Sequence, residues 1–404
     1  MPAPRTYWIS SRPTGRWDKG GDNVDKEVAI IAYAQTKYEA DANASRELQV
    51  LEVTVAALKA AGLKREDLDT IITANNDYLD GRTISNMRLV EPSGAWRKNE
   101  SKVEMDGAFA MLYAVTRILS GDHDIALVVA ESQASVYGTY LPGIMMLDPT
   151  FDRQRWLLNE VSAAALQASS YMDAAGVSVE QIAGVAAKNL ENAALNPVAL
   201  RSLKGADAKK VLASRPLCSP ITELMASPLC DGACALVLAS AKAAAKAEKP
   251  VWVKGVGFSH DSYLTERGSL DNMGSLKLAA EACYKQAGID DPASQIELAE
   301  LHECFAHEEL MAYEALGFCD PMQGGAFFDS GATKKEGELP VNTSGGALGA
   351  NVACAAGLTR VIEAAMQIRG DAGKHQVKGV KTALAHGQTG LCAQENIVYV
   401  LGGE

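Results

Sequence analysis

A chain of 404 residues with 48% hydrophobic and 22% charged side chains exceeds one hydrophobic core, so two or three domains are expected and a disordered or fibrous class does not fit. The net charge of −12, with no Lys/Arg run longer than two, excludes a general nucleic-acid binder, because phosphate contacts need a basic face. No stretch approaches the roughly 20 apolar residues of a membrane helix, and residues 1–26 carry Arg5, Arg12, Arg16 and Trp17 where a signal peptide needs an apolar centre, so a cytoplasmic protein without membrane contact is expected.

In chain order, residues 1–26 read as an N-terminal extension and residues 27–136 open a first folded half. Apolar residues at helical spacing over 51–63, with a glycine near the end, predict a helix, and 69–75 reads as a strand. An Ala-rich helix over 107–121 and an apolar strand over 124–131 follow. Residues 137–228 differ in character and read as an inserted loop domain covering one face, with Met145, Met146, Trp156, a helix over 160–175 and a turn-rich stretch at 192–197. The Met pair and Trp156 suit either an acyl pocket or plain core. Residues 231–239 return as a buried strand, so residues 229–248 close the first half.

The second half, 249–404, repeats the first in order and spacing. A helix over 276–289 ends in Ala287-Gly-Ile289 as the earlier one ends in Ala61-Gly-Leu63, and 296–302 repeats the strand. A glycine-rich start at 345 then runs into a helix closed by Gly370, followed by a strand over 381–386. Self-similarity of this kind marks a duplicated unit. Alternating helices and continuously apolar strands predict an α/β protein of two βαβ-type halves, with a mostly parallel sheet covered on both faces.

All eight cysteines lie at Cys218 or later without CxxC spacing, which suits reduced thiols. Cys230 and Cys234 fall in an apolar run and read as core, so no metal site is expected. The densest chemical cluster is His302-Glu-Cys-Phe305 with His307, placed at the carboxyl end of a strand, where open α/β sheets bind ligands. A solvated Glu303–His307 pair and a core Cys304 account for the same residues. Gly345 and Gly346 before a helix suit either an anion-facing backbone or simple punctuation. His386, again at a strand end, suits a structural or a catalytic role.

These stretches resemble the thiolase superfamily, most closely its sterol-carrier-protein-type branch, over nearly the whole chain from about residue 28 to 402. Leu301-His-Glu-Cys-Phe305 is similar to the branch's His-Asp-Cys-Phe motif, with Glu in place of Asp. Val341-Asn-Thr-Ser-Gly-Gly346 resembles the loop before the family's Gly-His-Pro motif, and Ser227-Pro-Leu-Cys-Asp-Gly-Ala233 and Asn196-Pro197 also fit. The resemblance implies a thiolase fold of five αβαβα layers, at least a dimer, and a CoA thioester bound as substrate under the insertion, with no resident cofactor.

The departures bear on the chemistry. The family's nucleophilic cysteine stands at the start of the helix over 107–121, but here that position falls on Glu104 or Gly107, and neither can form a thioester. Asn351 stands nearest the missing Gly-His-Pro, where it can donate to a thioester oxygen, and the family's final Cys-x-Gly reads His386-Gly-Gln388. The resemblance thus leaves His302, Cys304, His386 and Asn351 as catalytic candidates, Cys304 as acid/base, with the N–H groups of Gly345 and Gly346 as oxyanion donors. It implies making or breaking a C–C bond beside a CoA thioester, by retro-aldol or direct Claisen-type chemistry, without a cysteine-bound acyl group. Similar thiolase-like aldolases work with a small zinc-ribbon and OB-fold subunit, so a homodimer or a heterotetramer with such a chain is implied. Those aldolases carry tyrosines where this chain has Phe305 and Ser344. Two alternatives stay open: an acetyl-CoA acetyltransferase using a relocated cysteine, and a non-catalytic acyl-CoA-binding or scaffold subunit.

Overall fold

The computed structural model describes residues 27–137, 148–150 and 158–403. The N-terminal extension and the Met145, Met146 and Trp156 group lie outside the described residues. The first half supplies β1 (Val28–Gln35), α1 (Arg46–Ala61), β2 (Thr70–Ala74), β3 (Asn99–Val103), α2 (Gly107–Leu119) and β4 (Ile125–Gln133). After the insertion, which carries α3 (Glu160–Ala175) and α4 (Val179–Ala193), it closes with β5 (Asp231–Ser240). The second half supplies β6 (Val251–His260), α5 (Gly274–Ala287), β7 (Leu298–Glu300), α6 (Ala306–Ala315), α7 (Ala356–Arg369), β8 (Thr382–Thr389) and β9 (Glu395–Gly402). The matched helices α1 and α5 stop alike, at Gly62 (φ 66°) and Gly288 (φ 69°), a left-handed cap that costs a glycine little.

The strands form one nine-stranded sheet in the order β3-β2-β4-β5-β1-β6-β9-β8-β7. Its two halves mirror each other, β1, β2, β4 and β5 corresponding to β6, β7, β8 and β9. A parallel bridge between Ala299 and Val341 stands where β3 pairs with β2 in the first half. The sheet is mixed rather than mostly parallel: β2 is parallel to β3 and β4, and β7 to β8. The pairings β4–β5, β5–β1, β1–β6, β6–β9 and β9–β8 are antiparallel. A strand buried on both faces is apolar throughout whichever way its neighbours run, so the apolar pattern carries no direction.

Side-chain alternation along the strands sorts the core into three clusters. Ile71, Leu127 and Val129 face Val50, Val53 and Leu58 of α1. Their neighbours Ile72 and Val128 face the opposite way, onto Met111 and Val115 of α2 and Leu358 and Val361 of α7, which also receive Ala383, Ala385 and Tyr399 from the second half. Leu384, Val398 and Val400 face Leu276 and Ala280 of α5 together with helices of the insertion. Helix, half-sheet, helix pair, half-sheet and helix make the five αβαβα layers. Each fully buried Leu, Ile or Val contributes about 1.5–3 kcal/mol. Cys230 and Cys234 are buried in the middle layer. Among the described residues no helix is long and apolar enough to cross a membrane.

Candidate active site

The short strand β7 ends at Glu300, and the chain turns directly into α6. Glu308, on the first turn of that helix, fixes the turn: its Oε2 accepts from the backbone N–H of Cys304 at 2.7 Å and of Phe305 at 3.3 Å. The Ser227-Pro-Leu-Cys230 segment acts as a strut between this turn and Asn351. Ser227 N donates to Cys304 O at 2.8 Å, Asn351 N donates to Pro228 O at 3.0 Å, and Asn351 Nδ2 donates to Ser227 Oγ at 2.8 Å. The strut brings Asn351 Nδ2 to 3.8 Å from Cys304 Sγ, and His302 Nε2 lies 3.5 Å from the same sulfur. These side chains open onto a cavity of about 390 Å³ whose wall also includes Glu160, Glu308 and Gln388. Asn351 Oδ1 and Gln388 Oε1 are buried without a hydrogen-bond partner among the described residues, so the wall keeps polar valences for a ligand.

Electrostatics assign the protons. Gln388 N donates to His302 Nδ1 at 3.3 Å; a backbone N–H can only donate, so the imidazole carries its proton on Nε2, facing Cys304. Burial, then His386, then Arg360 hold the His302 pKa well below the usual range, so the ring is a neutral donor. Burial raises the Cys304 thiol well above its ordinary value, and the carboxyls of Glu308 and Glu160 add to this. Cys304 is therefore a thiol, not a thiolate. Burial pushes Glu308 up to about 7 against the hydrogen bonds it accepts, including one from Gln388 Nε2 at 2.7 Å. Glu160 is likewise pushed up to about 7, by burial and then by Glu308.

The structure brings His302, Cys304 and Asn351 together and places other candidates elsewhere. His386 is buried within β8, its Nε2 on Asn396 Oδ1 at 2.8 Å, and it is not among the residues lining the cavity. Gly345 N donates to Asn342 O at 2.9 Å and Gly346 N to Ser344 Oγ at 3.3 Å, so neither is a free oxyanion donor. Glycine is required at 346 because the Glu303 carboxylate occupies the place of a side chain. Glu303 and His307 are both buried, not a solvated pair. Glu303 accepts from Asn189 Nδ2 at 3.0 Å and Asn342 Nδ2 at 2.9 Å, and His307 Nε2 meets Gln167 Oε1 at 3.1 Å.

At the family's nucleophile position, Glu104 is exposed at the mouth of the cavity and committed to Lys102 at 2.7 Å. Gly107 is closed: a Cβ there would lie 2.7 Å from Ala130 Cβ and 2.8 Å from Leu358 Cβ, tighter than real carbons approach. Three residues of the wall escape the sequence reading. Glu308 carries a signal, since a Glu three residues after the start of a helix is a capping position. Asp106, which caps α2, carries the same kind of signal. Glu160 carries none, because only the path of the insertion across the strand ends brings it to the cavity.

Residues 256–403 match the family described as thiolase C-terminal domain-like. The chain is 30% identical over 388 residues to an acetyl-CoA acetyltransferase of Methanothermobacter thermautotrophicus, covering 92% of this chain and 99% of that protein. It is 26% identical over 384 residues to the 17-hydroxy-3-oxo-4-pregnene-20-carboxyl-CoA lyase of Mycobacterium tuberculosis, covering 90% of this chain and 97% of the relative. Among solved structures the Ltp2-ChsH2(DUF35) aldolase shares the fold, with a TM-score of 0.81 at 22% identity over 94% of this chain and 98% of that one. With a full-length relative at this identity and the five-layered fold in place, the chain belongs to the thiolase superfamily, in its sterol-carrier-protein-type and thiolase-like aldolase branch.

Proposed function

We propose that this chain is an acyl-CoA enzyme that makes or breaks a C–C bond beside a CoA thioester without a cysteine-bound acyl group. The observation that carries this is the closure of position 107, where Ala130 and Leu358 fill the space a nucleophilic cysteine would need. The protonated Cys304 supports it, because a thiol held well above its ordinary pKa is a proton donor rather than a nucleophile. In the cleavage direction, His302 Nε2–H and Asn351 Nδ2–H hold the thioester oxygen as negative charge develops on it. The Cys304 thiol then gives its proton to the enolate carbon. The lyase among the relatives and the aldolase among the structures support the retro-aldol direction. Coenzyme A enters as part of the substrate. A second, small zinc-ribbon and OB-fold subunit belongs to this proposal, supported by the aldolase whose name joins Ltp2 to ChsH2(DUF35).

The test combines intact-mass spectrometry after incubation with acyl-CoA and an assay of β-hydroxyacyl-CoA cleavage, with and without a co-purified small subunit. Cleavage with no acyl adduct is expected. A stable acyl-cysteine overturns the reading.

A further inference from the structure

Retro-aldol cleavage needs a base for the β-hydroxyl proton, and the candidates around Cys304 do not supply one. His302 has Nδ1 filled by Gln388 N–H, so a second proton there would set two donors face to face. His386 is outside the cavity wall, and Glu308 is committed as the cap of α6, its Oε2 accepting from Cys304 N, Phe305 N and Gln388 Nε2, so that protonating this carboxylate weakens the turn that carries Cys304.

Glu160 differs from these. It lies in the wall of the same cavity, at the first position of α3, where the unpaired N–H groups of a helix start favour a carboxylate. The helix is pinned across the strand ends two turns further on by Gln167, whose Nε2 donates to Cys392 O at 3.4 Å and whose Oε1 meets His307. Packing of Ala163 with Leu391 and Cys392 holds the intervening turn down. The insertion therefore delivers a carboxyl group, on a rigid element, to the wall of the cavity that also holds the donors of the second half.

Resting on the C–C bond reading above, we infer that Glu160 is the general base that removes the β-hydroxyl proton of the CoA thioester substrate. The carboxylate takes the hydroxyl proton, the freed O–H electron pair becomes the second bond of a carbonyl, and the Cα–Cβ bond breaks. Its electrons pass to the thioester enolate held by His302 and Asn351. Cys304 Sγ–H protonates the enolate carbon, giving a shortened acyl-CoA and an aldehyde or ketone. Glu160 then returns its proton to the Cys304 thiolate, and the site is restored with all atoms accounted for. The shift of Glu160 towards neutrality suits this work, since a base is most effective near the operating pH.

The experiment compares the unaltered protein with Glu160→Gln and Glu160→Asp in β-hydroxyacyl-CoA cleavage across pH 5–9, together with deuterium uptake at Cα of an acyl-CoA lacking the β-hydroxyl. Glu160→Gln is expected to lower kcat by roughly 100-fold, with KM little changed and the acidic limb near neutrality gone. Glu160→Asp restores part of the rate and the limb, and deuterium uptake falls together with cleavage in Glu160→Gln, since the resting Cys304 thiol must give its proton to Glu160 before it can take one from Cα. Cleavage by Glu160→Gln within about twofold of the unaltered rate, or an unchanged acidic limb, overturns the assignment and leaves the C–C bond reading standing. If Glu160→Gln fails to fold, an unchanged rate and limb in Glu160→Asp, whose carboxylate is withdrawn by one methylene, overturns it equally. An unaltered protein that neither cleaves nor exchanges, alone or with the small subunit, overturns both.

Discussion

Asp106 and Gly357 are joined at the centre of the molecule: Asp106 Oδ2 accepts from Gly357 N at 2.8 Å while Oδ1 of the same carboxylate accepts from Ala108 N at 2.8 Å. One side chain therefore satisfies the N-terminal turns of both middle-layer helices, α2 and α7. A single lost cap costs about 0.5–2 kcal/mol, so Asp106→Ala is expected to lose roughly 1–4 kcal/mol of unfolding free energy in urea titration. Wild-type stability in that variant would show that the shared cap contributes nothing.

Reinstating a cysteine at the family's nucleophile position will not make a thiolase. Gly107→Cys has to displace Ala130 and Leu358, and overpacking of this kind costs about 1–3 kcal/mol. The variant is expected to melt at a lower temperature and to show no acyl adduct by intact mass. A stable variant that acquires an acyl group contradicts the packing argument.

Cys304 and His302 are expected to fail in different ways. Cys304→Ala removes a proton donor and should lower kcat by about 100-fold or more, with deuterium uptake at Cα lost as well. His302→Ala removes a hydrogen bond to developing charge and should cost about 100–1000-fold in kcat. Because His302 is neutral throughout, no pH limb of the unaltered enzyme disappears with it. A His302→Ala profile that loses a limb would show that the imidazole titrates in the working range.

Glu303 ties stability to pH. Burial, then Glu309, push its carboxyl up to about 8 from an ordinary 4.5. The native protein keeps a proton that the unfolded chain releases from about pH 4.5 upward. The stabilisation is present below that value and is lost as pH rises through about 8. Glu303→Gln mimics the protonated form, so its melting temperature relative to the unaltered protein should rise between pH 5 and pH 8. A constant or falling difference rules out a protonated Glu303.

The duplication is legible in the sequence because helix periodicity and glycine stops survive in both copies, as Ala61-Gly-Leu63 and Ala287-Gly-Ile289 show. Cys304, His302 and Asn351 are legible as motif residues. The Ser227 segment is also legible as a family match, but the hydrogen bonds by which it brings them together are mostly backbone and leave no compositional trace. Gly345 and Gly346 read as ligand-facing, yet the reason for glycine at 346 is the Glu303 carboxylate, a contact across sequence that a local pattern cannot contain. Glu160 is one acidic residue at the start of an ordinary helix until the fold lays that helix against Leu391 and Cys392 in the turn between β8 and β9.

Strand β1 has a consequence for how the protein is assembled during synthesis. It sits between β5 and β6, with Val28 opposite Ser240 and Ile30 opposite Val251. Its partners thus emerge from the ribosome some 200 residues after it, and at about 5–20 residues per second that is a wait on the order of 10–40 seconds. Until Asp231 has been made, both edges of β1 are open, and the first half lacks β5, the strand that ties β1 to β4. Nascent chains stalled before that residue should therefore be sensitive to protease and prone to pair with one another through β1, while chains extended past β6 should not.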